Sequence, residues 1–65
     1  MKRYYLDVIT GSDFGVDYEV EADGYEYLSD GFYRFYVKED KNSRWTETIA
    51  SYPINRTIIK RIEEI

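Results

Sequence analysis

Residues 16–22 read VDYEVEA, and their alternation decides the fold. Val16, Tyr18, Val20 and Ala22 fall on one side of an extended chain, Asp17, Glu19 and Glu21 on the other. A period of two marks a half-buried strand. The longer stretch DYEVEADGYEYLSD, residues 17–30, also has the outline of a calcium loop. Glu19, Glu21, Asp23, Gly24 and Asp30 take positions 1, 3, 5, 6 and 12 of that pattern. The details go against it. Position 1 is Glu rather than Asp, position 8 is Glu26 rather than an aliphatic residue, and position 12 is Asp30 rather than a bidentate Glu. Such a loop also needs a helix on each side, and both flanks here alternate as strands do. No metal site is therefore expected. Asp23-Gly24 reads as a two-residue hairpin turn, which would set Glu21 opposite Glu26. That like-charge pair costs a few tenths of a kcal/mol unless Arg34 or Lys38 lies on the neighbouring strand.

The same reading extends along the chain. RYYLDVI (3–9) places Tyr4, Leu6 and Val8 on one face and Tyr5, Asp7 and Ile9 on the other. A short strand or loop occupies 25–29. FYRFYVK (32–38) turns Tyr33, Phe35 and Val37 inward and Phe32, Arg34, Tyr36 and Lys38 outward. WTETIAS (45–51) carries Trp45 and Ile49 on one face. Turn signals punctuate these runs: TGSDFG at 10–15, DG at 23–24 and 30–31, DKNS at 40–43, and Pro53. Short strands with regular turns indicate an antiparallel all-β meander or small barrel of five to six strands. Two readings stand for the C-terminus. Ile54, Ile58, Ile62 and Ile65 have helical spacing. Against a helix, the TII run is β-branched, and the order of Arg56, Lys60 and Arg61 before Glu63 and Glu64 opposes the helix dipole. A closing strand over 57–63 is favoured over a short helix.

At 65 residues the chain is a single small domain and buries only about 60% of its unfolded surface. With no Cys and no His, neither disulfides nor thiolate or imidazole metal sites are available to reinforce it. Eight tyrosines and three phenylalanines supply the bulk of a core instead, each large ring burying about 150–250 Å². MKRYYLDVIT contains no long apolar run, so neither a signal core nor a membrane span is expected, and the chain reads as cytoplasmic.

Charge is uneven. Residues 1–30 hold eight acids against Lys2 and Arg3, while residues 31–65 hold seven bases against five acids. The overall net charge of −4 argues against duplex binding, which uses a basic face. Catalysis is not expected either. Without His or Cys only carboxylate pairs or a Ser/Lys arrangement remain, and no acid sits on an apolar face. The triplet Asp13-Phe14-Gly15 matches a kinase metal motif only in isolation, and reads as a turn with an aromatic plug. No cofactor is implied.

Two functions are compatible with this surface. The first is a non-enzymatic protein-interaction module whose acids Asp17, Glu19, Glu21 and Glu26, with Tyr36, meet a protein partner with a basic surface. Acids at alternate strand positions repeat about every 6.7 Å. The second is a single-stranded nucleic-acid binder. It would stack bases on Phe32, Tyr36 and Tyr5, with Arg34, Lys38 and Arg44 on phosphates. Exposed edges and ring-rich faces also invite homo-oligomers. In layout, the meander ending in ASYPINRTIIKRIEE, with a short turn before a last strand, resembles SH3-like and Sm-like barrels. A short, acidic, Cys-free, Tyr-rich chain also resembles accessory proteins of phages or mobile elements. That resemblance implies a modulator of a partner protein.

Overall fold

The computed structural model describes residues 1–11, 14–40 and 45–65. Among the described residues the chain is all-β, with six strands: β1 (Lys2–Thr10), β2 (Phe14–Ala22), β3 (Gly24–Tyr27), β4 (Phe32–Lys38), β5 (Thr46–Pro53) and β6 (Thr57–Glu64). A single 3-10 turn, Ile54–Arg56, separates the last two. The C-terminal segment is thus the strand, in keeping with its β-branched run. The strands form two antiparallel three-stranded sheets, ordered β2-β1-β6 and β3-β4-β5. No hydrogen-bonded pairing joins β5 to β6 among the described residues, so the two sheets do not close into a barrel. Among the described residues, no helix is long and apolar enough to cross a membrane.

The core lies where the inner faces of the two sheets meet. Tyr4, Leu6, Val8, Val20, Ala22 and Phe35 are buried, and Tyr25, Tyr33, Ala50, Tyr52 and Ile59 pack against them. The inward set expected of β4 is the one observed, with Tyr33 and Val37 only half-buried at the margin, and of the two faces of β1 the one carrying Tyr4, Leu6 and Val8 is buried. Rings connect the sheets. Tyr4 meets Phe35 edge-on at 5.1 Å and Tyr25 at 5.4 Å. Phe35 meets Tyr52 at 6.1 Å, and Tyr52 meets Tyr18 at 5.6 Å. Edge-on ring pairs of this kind add about 0.5–1.5 kcal/mol each beyond burial. Four of the eight tyrosines, Tyr4, Tyr25, Tyr33 and Tyr52, therefore serve as core.

The overlap is incomplete. The radius of gyration is 12.4 Å, against about 11 Å for a compact chain of this length. The accessible surface is 4818 Å², against about 4,400 Å² for a typical protein of this mass. The excess lies partly at the margins of the inner faces. Val16 and Tyr18 on β2, Tyr27 on β3 and Ile62 on β6 point toward the core side yet stay exposed.

The two Asp-Gly dipeptides behave differently. Asp30-Gly31 closes a tight β3–β4 hairpin. Gly31 takes φ +89°, its N–H donates to the Leu28 carbonyl at 3.1 Å, and the Phe32 N–H donates to Asp30 Oδ1 at 3.2 Å. Asp23-Gly24 is not a hairpin. Neither residue has positive φ, which a two-residue type I′ turn requires. Instead β2 and β3 form one bent run that changes sheet at Asp23. The Asp23 N–H donates to the Tyr36 carbonyl at 2.9 Å, and its carboxylate accepts from the Lys38 N–H at 2.6 Å. Tyr36 pairs with Gly24 across β3 and β4. A Cβ on Gly24 would lie 2.5 Å from the Tyr36 hydroxyl oxygen, so a larger residue there would push the ring aside. Long-range pairing with β4 overrides the local turn preference. The expected DFG turn is also corrected, because Phe14 and Gly15 already belong to β2; Asp13 lies outside the described residues. So do Lys41, Asn42 and Ser43 of the DKNS turn. Trp45 precedes β5 rather than opening it and is 77% exposed.

Candidate interaction surface

The outer face of the first sheet is built of cross-strand rows. One row runs Glu21–Arg3–Glu63, the next Glu19–Tyr5–Arg61, and the third Asp17–Asp7–Ile58. Asp17, Glu19 and Glu21 are all exposed on β2, in the alternation expected of them. Their surroundings differ. The Arg3 guanidinium donates to Glu21 Oε1 at 2.7 Å, and that bond raises the arginine pKa. The Lys60 ammonium reaches Asp17 Oδ1 at 2.6 Å. It can do so because the β1–β6 register shifts between Tyr5 and Leu6, leaving Lys60 as the extra residue of a bulge. Lys60 is held above its ordinary pKa, chiefly by that hydrogen bond and also by the charge of Asp7. The lysine thereby offsets the repulsion of Asp7 and Asp17, which pair directly opposite one another. Glu19 makes no ion pair or side-chain hydrogen bond among the described residues; it faces the Tyr5 ring, over which Arg61 lies at 4.3 Å.

Glu26 and Tyr36 do not join this row. They occupy the outer face of the second sheet, beyond the Asp23 bend. The acid clash expected between Glu21 and Glu26 does not arise. Because β2 and β3 do not pair, each glutamate finds its own arginine, Arg3 for Glu21 and Arg34 for Glu26. The expected remedy from Arg34 is realised in that form. The arginine ties three strands together. It donates through Nη1 to Glu26 Oε1 at 2.6 Å, through Nη2 to Thr46 Oγ1 at 2.8 Å and through Nε to Thr48 Oγ1. Its guanidinium also lies 5.5 Å from the centre of the Tyr36 ring. Its side chain is only 19% exposed.

The set named for nucleic acid is therefore divided. Arg34 spends its donors inside the sheet, and Tyr36 lies over Gly24. Phe32 and Lys38 are exposed at opposite ends of β4, and Tyr5 lies beneath Arg61. Arg44 lies outside the described residues. The features missed by sequence reasoning are the Thr46–Thr48–Arg34 clip and the exposure of Val16 and Tyr18. A signal for the first was present, since TET at 46–48 puts two hydroxyls on one face of a strand. The second depends on how far the sheets overlap, which no local pattern encodes. Comparison of the chain with protein-family models, curated proteins and solved structures gives no match.

Proposed function

We propose that this chain is a non-enzymatic protein-interaction module that binds a basic protein surface through β2 and modulates its partner. The layout of the module is read as that of an open SH3-like barrel, with one long bent strand shared between two sheets and a 3-10 turn before the last strand. One observation carries the reading. β2 is an edge strand with three exposed carboxylates in a row on its outer side, and with Val16 and Tyr18 exposed on its inner side. A charged row next to apolar side chains supplies both attraction and buried area to a partner.

Glu19 is the diagnostic residue, since reversing it breaks no ion pair among the described residues. The Glu19→Lys variant is expected to lose capture of a basic partner from lysate while keeping the parent's thermal midpoint. Capture unchanged by Glu19→Lys would reduce the row to a solvated face. Single-stranded nucleic-acid binding has less support, because Arg34 directs three of its donors to Glu26, Thr46 and Thr48. Retention of oligonucleotides at low salt in a gel shift would restore it.

A further inference from the structure

Sheet edges differ in how they are guarded. Natural edges avoid stray pairing by being short, bulged, or studded with Lys or Pro. Of the four edge strands, β3 has only four residues. β5 is broken by a register shift opposite Phe35 and Tyr36, and ends in Pro53. β6 is broken by the bulge at Lys60. β2 is nine residues long and keeps an unbroken register with β1 from Phe14 to Ala22. It carries no bulge, Pro or Lys. Among the described residues, no hydrogen bond is made from the free side of β2 before the Asp23 corner.

We infer that β2 accepts an added strand, and that the strand belongs to a partner with Lys or Arg at every second position and apolar residues between. This rests on the proposed interaction with a basic partner and specifies its mode. Bases at alternate positions face Asp17, Glu19 and Glu21, while the residues between them cover Val16 and Tyr18. Main-chain pairing supplies affinity and alternate side chains supply specificity. A second copy of this chain does not fit. Two-fold pairing of β2 with itself centred on Glu19 sets Asp17 against Glu21 and Glu19 against its own copy, an unfavourable arrangement.

The test uses two seven-residue peptides of one composition. One alternates Lys with Val and Tyr; the other has its lysines grouped. Binding to the full chain is followed by nitrogen–proton correlation spectra and amide exchange. The alternating peptide is expected to bind at least about tenfold more tightly and to slow exchange of outward amides between Gly15 and Glu21. Equal affinity of the two peptides, or no added protection on β2, overturns strand addition. If both then lose binding in Glu19→Lys, the charged-row reading stands without it. If neither peptide binds and partner capture is indifferent to Glu19→Lys, both readings fall.

Discussion

Replacing Arg34 with Met removes a guanidinium that joins β3, β4 and β5. The two threonine hydroxyl bonds, to Thr46 and Thr48, are worth about 1 kcal/mol each net. The ion pair with Glu26 involves a carboxylate that is 48% exposed, so screening limits it to a few tenths of a kcal/mol. The Met stem retains much of the packing over Tyr36. The expected loss is about 2 kcal/mol in all. A 65-residue chain has only about 3–10 kcal/mol of stability to lose, and each kcal/mol moves its melting midpoint by about 4–8 °C. Arg34→Met should therefore melt about 8–16 °C lower. Arg34→Lys keeps the charge but not the planar fork, so it should lose at least half as much. Thermal melts and urea titrations followed by circular dichroism read both variants. A midpoint within about 2 °C of the parent for Arg34→Met, on the same scale, would refute the clip. The lysine variant separates the clip from a phosphate contact, because a point charge suffices for phosphate and fails to reach both threonines.

Two further outcomes follow from buried groups. Thr57 is 6% exposed and its Oγ1 has no hydrogen-bond partner among the described residues. The isosteric Thr57→Val should raise stability by about 1 kcal/mol, seen as a higher urea midpoint at unchanged slope; a lower midpoint would mean that the hydroxyl is satisfied. Burial raises the pKa of Tyr4, Tyr33 and Tyr52. The folded state then holds these protons after the unfolded state has released them. Their contribution is complete below the unfolded tyrosine value of about 10 and declines as pH climbs through the raised folded values. Lys60 contributes in the same direction, being held protonated by Asp17. Urea midpoints should be steady from pH 7 to 9 and fall above pH 10, less steeply in Tyr4→Phe. A midpoint independent of pH up to 11 would contradict this.

The strands were legible wherever one face is buried, because period-two alternation is a direct imprint of burial. VDYEVEA, RYYLDVI and FYRFYVK each report their own geometry. Asp23-Gly24 was not legible as a bend, since a dipeptide carries the same local preference at a bend as at a hairpin. The anomaly was visible all the same. A hairpin there sets Glu21 against Glu26, and an unfavourable pair in a predicted register is a reason to doubt the register. Sheet membership also decided which acids form one surface. Asp17, Glu19 and Glu21 stay together because one strand holds them. Glu26, five residues on from Glu21, is carried to another face by the bend.

The segregation of charge along the chain takes on a different meaning once folded. The acidic first half and the more basic second half meet across β1. β6 brings Lys60 to Asp17 and places Arg61 over Tyr5, facing Glu19. Much of the acidity of β2 is thus offset by the chain itself, through exposed pairs that are individually weak. Weak internal pairs are easily exchanged. A partner lysine arriving beside Asp17 or Glu21 competes with Lys60 or Arg3 at small cost, whereas one arriving beside Glu19 breaks no ion pair or side-chain hydrogen bond among the described residues. The central acid of the row should therefore dominate affinity for a basic strand, and its two neighbours should tune it. Salt should weaken the complex more than it weakens the fold, because the fold rests on Tyr4, Leu6 and Phe35 rather than on these ions.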